Sequence, residues 1–493
     1  MSGSGMYGHE APEPVRLWDL DRMELCPASL GPGSQLAKPQ LERWKSVHEA
    51  IVAWHAEGEP ESEAAVADIC DRLFSFWDPV QRHMLEDLFT AYRRLHPADS
   101  TVEFGAQSGV FIDTDRNLSL SVGVQLEVQT EIGREAVRIK TGRSGTSRVE
   151  AAAYYMHDEK STLVDVMLAH DDRVNVPRPT SEEGQQILSE IFDRHALAIV
   201  GQRGVRHPGL HCYSCPRPAR CGQYPTIGGD VSYRTRTVRV SKTHLAKLAH
   251  CHRSAGWPAL YGIPKDESRG DDEDDSHGLR VGSRFHTTIA AALLADDPEP
   301  LFEAACAEAP PSEATDLRYL FDQHLDLWTR DPDPVTPIRT EYQMGLTLVV
   351  PGQTLNQRDK VEEGPVAVVM MCATDVNGWE NDTTAAVVEH RTGASGPLPN
   401  EADLYAVSAW TALQQMNRNV DGVAVHFHHL RRNPSQCQRI HYTQHDIQKA
   451  IDRLTDVAGI IAGWHPASAL SPQYATGPQC DWCDRRSRCE QFR

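Results

Sequence analysis

Two stretches with the same cysteine spacing, CYSCPRPARC (212–221) and CDWCDRRSRC (480–489), decide how this chain is organised. Each has the pattern C-x2-C-x5-C and supplies three thiolates. A tetrahedral metal or a cubane cluster takes four ligands, so each stretch needs one more cysteine from elsewhere. The same spacing at two places predicts two copies of one module, each with its own metal centre.

The fourth ligand of each predicted centre is a cysteine far upstream of its triplet. Structural zinc sites are usually built from two C-x2-C pairs, whereas iron–sulfur clusters also accept one remote cysteine. We therefore predict two 4Fe-4S clusters, with zinc as the alternative. The ligands are Cys26, Cys212, Cys215 and Cys221 in the first centre, and Cys251, Cys480, Cys483 and Cys489 in the second.

Other motifs recur in the same order in both halves of the chain. Their recurrence predicts two tandem domains, 1–228 and 229–493, with the boundary in the glycine-containing stretch QYPTIGGDVSY. The matched pairs are WKSVH (44–48) with GSRFH (282–286), VRIKTG (137–142) with VEHRTG (388–393), and EAAAY (150–154) with EADLY (401–405).

Composition limits the class of protein. The 493 residues include 49 basic and 69 acidic side chains, a net charge of −20, and 40% are hydrophobic, which is typical of a soluble globular protein. No apolar run approaches the roughly 18 residues of a membrane span, and the first residues are small and polar. We therefore expect a cytoplasmic protein without a membrane partner.

Nucleic acid would have to bind a local basic surface, because the chain as a whole is acidic. Six basic residues between 234 and 253 are interrupted by no acid, and the C-terminal residues add four arginines and a tryptophan. We expect these groups to form one phosphate-binding face with strong salt dependence. They are Arg234, Arg236, Arg239, Lys242, Lys247 and Arg253, with Arg485, Arg486, Arg488, Arg493 and Trp482.

The order of early cysteine, G-x-x-x-H, strand acid, E-x-K-T-G, Q-x-x-x-Y and C-x2-C-x5-C resembles the iron–sulfur branch of the RecB-like PD-(D/E)XK nucleases. That branch includes CRISPR-associated RecB-like exonucleases and the nuclease domain of the AddB helicase–nuclease subunit. The resemblance covers both halves of the chain. It implies an α/β fold of two tandem restriction-endonuclease-like domains, each a mixed sheet flanked by helices and closed by a four-cysteine cluster.

The resemblance also implies a catalytic site in the second half. His286, Asp375 and Glu389 match the family's ligands for Mg²⁺ or Mn²⁺, and Tyr405 matches its tyrosine. Arg391 stands where the family has lysine, and Cys372 and Glu401 replace a glycine and the glutamine. Arginine keeps the charge but is planar and stays protonated, so the exchange is not conservative.

The first half departs further from the pattern. His48 is kept, but Trp44 fills the glycine position and Arg138 replaces the second acid. The strand acid falls at about Leu126, and Lys140 remains without acids to assist. An arginine at a ligand position opposes cation binding, so we interpret this half as a degenerate nuclease domain that binds or scaffolds.

The favoured function is therefore a metal-dependent DNA nuclease, exonuclease-like, acting in DNA repair, recombination or defence against foreign DNA. Its partners would be DNA, including single strands, and a helicase or another repair or defence protein, since the sequence has no Walker-type glycine loop. The alternative is an inactive pseudo-nuclease that serves as a DNA-binding or scaffold subunit held by two clusters. A zinc-bound interaction protein is a third hypothesis.

Overall fold

The computed structural model divides the chain into two compact units. The first comprises Met1–Gly31 and Lys38–His207, and the second comprises Pro32–Ala37 and Pro208–Arg493. The described residues are 13–15, 35–36, 39–75, 77, 79–97, 100–104, 109–116, 118–131, 133–141, 145–201, 212, 215, 218–232, 235–256, 273–295, 297–331, 334–355, 361–393, 397–398, 400–431, 435–464, 480, 483, 486 and 489.

The first unit contains five described helices and eight described strands. The helices are α1 Pro39–Ala56, α2 Glu63–Phe74, α3 Pro79–Leu95, α4 Arg148–His157 and α5 Ser181–Gly201. The strands are β1 Glu13–Val15, β3 Thr101–Phe104, β4 Gly109–Asp113, β5 Leu118–Val122, β6 Leu126–Gln129, β7 Arg134–Lys140, β8 Thr162–Met167 and β9 Asp172–Asn175.

Its main sheet has the order β3-β6-β7-β8-β9, and β1, β5 and β4 form a second, three-stranded sheet. Alternate residues of a strand face opposite sides, and here both sides are apolar. Val128, Val137 and Val164 pack with the buried residues of α1, α2 and α3, whereas Ala136 and Leu163 pack with α4 and α5. The sheet is therefore covered by helices on both faces.

The second unit contains seven described helices and eight described strands. The helices are α6 Lys242–Leu248, α7 His252–Gly256, α8 Glu273–Ala292, α9 Glu299–Ala307, α10 Pro311–Arg330, α11 Glu401–Gln415 and α12 Gln444–Ala462. The strands are β2 Gln35–Leu36, β10 Thr226–Ile227, β11 Arg236–Ser241, β12 Thr336–Leu355, β13 Val361–Trp379, β14 Thr384–Arg391, β15 Gly422–His429 and β16 Gln436–Thr443.

These strands form one sheet of order β10-β12-β13-β14-β15-β16, with β11 pairing along β13 and β2 along β11. Helices α11 and α12 contact the sheet, while α8 packs with α9 and α10. The long β12–β13 hairpin is stable because its central residues, from Val366 to Met370, are wholly buried. Both units are thus mixed α/β structures with sheets flanked by helices, which confirms the predicted α/β class.

The two main sheets share one pairing pattern. In the first unit β6 and β7 are antiparallel, β7 and β8 parallel, and β8 and β9 antiparallel. In the second unit β13, β14, β15 and β16 repeat the same sequence of pairings. Helix α4 provides the parallel crossover in the first unit and α11 in the second. No described helix is both long and apolar enough to span a bilayer.

Candidate functional site

One carboxylate on β13 joins three elements of the second unit. Oδ1 of Asp375 lies 2.9 Å from Nδ1 of His286, which α8 carries. Oδ2 of Asp375 accepts the backbone N–H of His390 on β14 and lies 3.1 Å from Nδ1 of the same residue. The fold therefore brings together His286 and Asp375, two of the predicted metal ligands.

Glu389, the third predicted ligand, precedes His390 on β14, so its side chain points to the other face of the sheet. Its Oε1 atom pairs with Nζ of Lys242, and its Oε2 atom accepts a hydrogen bond from the Tyr405 hydroxyl at 2.7 Å. Lys242 also donates to that hydroxyl at 2.8 Å. Glu389 and Tyr405 thus meet, as the sequence predicts, around a lysine that was not expected there.

Lys242 reaches Glu389 because a parallel strand leads directly into a helix. Strand β11 runs along β13, with Ser241 opposite Met371. The Ser241 side chain caps α6 and the His244 ring bonds back to the Ser241 backbone, so the helix begins at Lys242. The strand end and the capped helix start together place the ammonium group beside the carboxylate.

Arg391, which the sequence offers in place of the family's lysine, is engaged elsewhere. Its guanidinium pairs with Glu401, whose Oε2 atom also accepts the backbone N–H of Leu398 at 2.9 Å. Glu401 is 1% exposed, and its Oε1 atom lies 3.8 Å from Nζ of Lys242. The ion pair with Glu401 holds the planar Arg391 group to the side of Glu389.

The glycine of the G-x-x-x-H motif has a steric reason. A Cβ atom at Gly282 would lie 3.2 Å from Oγ1 of Thr392, just beyond β14. Gly282 therefore lets α8 approach the strand end closely enough for His286, one helical turn later, to reach Asp375.

Glu341 on β12 adds a carboxylate that the sequence did not reveal. It has φ of 49°, in the left-handed region that non-glycine residues seldom adopt. Its neighbours Thr340 and Tyr342 pair with Val376 and Thr374, so Glu341 lies opposite Asp375. Single ligand atoms of His286, Glu341 and Asp375 lie within 4.8 Å of one another. Two carboxylates and an imidazole are a donor set that Mn²⁺ and Mg²⁺ accept.

The site carries more carboxylates than fixed cations. Among the described residues, Asp375, Glu389, Glu341 and Glu401 share two fixed cations, Lys242 and Arg391, whose pairings are given above. Burial and the Asp375 carboxylate raise the pKa of Glu389 to about 7. Burial also opposes charge on Asp375, but hydrogen bonds from His286 and His390 hold its pKa below the ordinary range. A divalent cation would neutralise the excess negative charge.

Sequence reasoning missed three residues of this site. Lys242 was assigned to a basic surface; its position directly after a strand was a usable signal that it could reach the sheet edge. His390 stands between two predicted site residues, and its alternation with them placed it on the opposite face. Glu341 lies in a sequence without a motif, and its place in the site follows from its position opposite Asp375 in the β12–β13 pair.

The corresponding site of the first unit lacks this charge arrangement. Trp44 fills the glycine position, and its Nε1–H donates to the Ile139 carbonyl at 3.2 Å. Gln125 Oε1 accepts the Ile139 backbone N–H at 2.9 Å, the bond that Asp375 accepts in the second unit. The strand-acid position is therefore Gln125 rather than Leu126. Arg138 donates to Glu150 at 2.7 Å instead of offering a ligand.

The predicted cluster ligands lie in different parts of the chain. Cys26 falls outside the described residues. The first triplet belongs to the second compact unit, where Cys212 packs against Ala367 and Val369 of β13. In both triplets the second cysteine's N–H donates to the first one's carbonyl, Cys215 to Cys212 at 3.2 Å and Cys483 to Cys480 at 3.3 Å. The two 4Fe-4S clusters and the division of the chain into domains 1–228 and 229–493 remain predictions.

The prediction of a basic surface between 234 and 253 is wrong for three residues, which do not lie on an open basic face. Arg236 is 4% exposed and donates to the carbonyls of Ala462 and Trp464. Arg253 is 7% exposed, and Lys242 lies in the carboxylate site. Buried guanidinium groups cannot bind phosphate, so this segment stabilises the unit instead. Arg234 and, of the C-terminal group, all members except Arg486 fall outside the described residues.

No protein-family model and no curated protein matches the sequence. Among solved structures, the chain is similar to a "Putative exonuclease" from Eubacterium rectale, with 10% identity and a TM-score of 0.26 over 44% of this chain and 77% of that one. It is also similar to SSO0001, with 12% identity and a TM-score of 0.22 over 52% of this chain and 87% of that one.

Proposed function

We propose that the second unit is a metal-dependent DNA nuclease of the RecB-like PD-(D/E)XK type, acting on strand ends, and that the first unit is its degenerate copy. One observation carries the proposal: a lysine ammonium lies against Glu389, while Asp375, Glu341 and His286 offer ligand atoms within 4.8 Å of one another. Acid ligands with an adjacent lysine are what phosphodiester hydrolysis at a metal site needs.

His286, Asp375 and Glu341 would hold Mg²⁺ or Mn²⁺, with Glu389 as the adjoining carboxylate. Bound there, the cation would polarise a phosphate and lower the pKa of an attacking water. Lys242 is a quarter exposed, so its ammonium can reach a phosphate oxygen while Glu389 and Tyr405 orient it. Lys242 thereby supplies the positive charge that the family places at the position of Arg391.

The cofactor part of the proposal is one 4Fe-4S cluster for each cysteine triplet. The matching spacing and the matching backbone turns at Cys212–Cys215 and Cys480–Cys483 support it. Protein prepared without oxygen should contain iron and acid-labile sulfide in equal amounts, with absorbance near 400 nm. Zinc without sulfide would replace this part of the proposal by the structural-zinc alternative.

The nuclease activity is tested with end-labelled linear and circular DNA, single- and double-stranded, in Mg²⁺ and in Mn²⁺. We expect linear strands to be degraded, and Asp375→Asn and Glu389→Gln to abolish degradation. Asp382→Asn is the matched control, because Asp382 is exposed in the turn between the strands that carry Asp375 and Glu389. Equal rates in all three variants would overturn the assignment of the site.

The second candidate is a non-catalytic DNA-binding or scaffold subunit acting in repair, recombination or defence. It is favoured by the pairing already present: Lys242 and Tyr405 engage both oxygens of Glu389, and Glu401 engages Arg391. Retained DNA binding without cleavage in either metal would support this candidate. If the protein acts on DNA only together with a helicase, cleavage or DNA binding would be seen only after that helicase is added.

A further inference from the structure

Three histidines meet inside the second unit, on the face of the sheet opposite Glu389. His390 of β14 and His428 of β15 are direct partners in the parallel strand pair, and His324 approaches from α10. The ring centroids of His324 and His390 lie 5.0 Å apart, and those of His390 and His428 lie 5.4 Å apart. Each of the three residues is 2% exposed.

The ring nitrogens of this trio lack the partners that buried polar atoms need. Nδ1 of His324, Nε2 of His390 and both ring nitrogens of His428 find no hydrogen-bond partner among the described residues. Each such atom costs about 1–3 kcal/mol of desolvation. The surroundings are aromatic, with Phe285 beside His390 and Trp328 beside His428. Four ring nitrogens without a partner among the described residues, all in one apolar place, require an explanation.

Asp375 determines which nitrogen of His390 points into the trio. Its Oδ2 atom lies 3.1 Å from Nδ1 of His390, so the proton sits on Nδ1 and the lone pair of Nε2 is left free. A carboxylate behind a histidine is the usual support of a metal-bound imidazole. Burial also lowers the pKa of His324 and of His428, which keeps both rings neutral, the form that binds metal.

We propose that His324, His390 and His428 form a binding site for Zn²⁺, separate from the Mg²⁺ or Mn²⁺ site on the other side of Asp375. One ring nitrogen from each histidine lies within 4.8 Å of the other two. Imidazole nitrogen suits zinc, whereas Mg²⁺ prefers oxygen. Three protein ligands leave a fourth position for a small ligand. The ion would fasten α10 to β14 and β15.

A neighbouring group of ligands is less suited to a cation. Asp331, His426 and Cys437 gather next to His428, also within 4.8 Å. Arg439, however, pairs with Asp331 and lies 3.3 Å from Glu380, which in turn lies 2.6 Å from Nε2 of His426. The guanidinium already neutralises these carboxylates, so the group is an ion-pair network. It provides a matched control for the zinc experiment.

The test measures zinc per chain after chelation and reloading, and the change in Tm that zinc produces. Wild type should hold one equivalent more than His324→Leu or His428→Leu, and zinc should raise the Tm of wild type only. His426→Leu, a buried control, should bind like wild type. Binding lost in His426→Leu but kept in His324→Leu would overturn the proposal in favour of the neighbouring group.

Two further measurements keep the proposal testable if the leucine variants do not fold. Cobalt-loaded wild type should give the visible spectrum of nitrogen-ligated, four-coordinate Co²⁺, and X-ray absorption of zinc-loaded protein should show imidazole nitrogen. Sulfur ligands alone would overturn it. Glu389→Gln, which should abolish cleavage, should leave this zinc equivalent in place, so failure of the nuclease proposal and failure of the zinc site are distinguishable.

Discussion

The two units accept the same backbone N–H with different side chains. Gln125 receives it from Ile139 in the first unit, and Asp375 receives it from His390 in the second. The amide and the carboxylate do this structural task equally well, since both offer an oxygen acceptor. Only the carboxylate brings the negative charge that a cation needs. The fold therefore requires a hydrogen-bond acceptor at this position, whereas cation binding requires that the acceptor be negatively charged.

A second pair of positions shows the reverse exchange. The position of Glu389 in β14 corresponds to that of Arg138 in β7, and Arg138 is paired with Glu150 on α4. In the second unit Glu401 of α11 holds Arg391 instead, two residues further along the strand. Both units therefore keep one helix-to-strand ion pair. In the second unit a further carboxylate, Glu389, is paired with Lys242.

The largest effect is expected for Asp375→Asn, which gives the second unit the same kind of hydrogen-bond acceptor that the first unit has. The hydrogen bond from the His390 backbone N–H is kept, but the charge-assisted contacts of the carboxylate with His286 and His390 weaken, so the Tm should fall while the fold is retained. A bound metal supplies several kcal/mol of catalysis, so the cleavage rate should fall by about 1000-fold or more. Single-turnover rates in Mn²⁺ measure this loss. Unchanged cleavage would show that the charge of Asp375 is not required.

Lys242→Met should have the next largest effect. The Lys242 ammonium is the cation that lies against Glu389, whereas Arg391 is held by Glu401. Losing one such donor typically costs about 100-fold in rate. Lys449→Met, at an exposed position of α12, is the control. Arg391→Lys should change the rate little, because Glu401 holds that position. A large gain in Arg391→Lys would instead assign the catalytic role to the strand position.

The candidate site residues that the structure brings together lie on elements whose geometry the sequence itself determines, and their roles stay predictions. His286, Asp375, Glu389 and Tyr405 are brought together by strand alternation, a helical turn and a crossover helix, all of which motif order reflects. The α/β class was implied by the resemblance to the nuclease family. The repeated pairing pattern likewise extends what the duplicated motifs indicated.

The residues that sequence reasoning missed depend on long-range packing. Lys242 meets Glu389 across 147 positions of the chain, and a basic run gives no sign of such a contact. Glu341 reaches the site through the pairing of β12 with β13, and its left-handed backbone conformation matches no local motif. Cys212 packs against β13 of the second unit, although the duplicated motifs place it in the first domain. Charge and spacing alone do not determine these contacts.

The two units should also differ in the pH dependence of their stability, because the second unit buries an acid, Glu389, where the first unit has Arg138. With the pKa of Glu389 raised to about 7, the folded state binds a proton that the unfolded chain has released by pH 6. Stability should therefore fall as pH rises from about 4.5 to 7. Glu389→Gln should remove this slope, because the amide does not titrate. Urea unfolding at pH 5 and pH 8 measures it.

The same titration should govern activity in the opposite direction. Glu389 serves a cation as a carboxylate, and its raised pKa in the metal-free protein means that a proton must leave before Mn²⁺ binds. Cleavage at subsaturating Mn²⁺ should therefore rise as pH increases from about 5.5 to about 8.5. A rate that is flat between pH 5.5 and pH 8.5 would contradict a role for Glu389 in the active form. Asp382→Asn should keep the wild-type profile, since its exposed carboxylate has no part in the site.

Arg138→Met should have the smallest effect on cleavage, namely none, and a measurable effect on the stability of the first unit. Burial alone would raise the pKa of Glu150, but the Arg138 hydrogen bond lowers it to about 2. A depressed carboxyl pKa stabilises the fold above the unfolded value of about 4.3, and this stability is lost as pH falls towards 2. Removing Arg138 should cost about 1–3 kcal/mol at pH 7 and progressively less below pH 4. Thermal unfolding across pH measures this difference, and a variant that loses cleavage while keeping its Tm would show that the first unit takes part in the reaction.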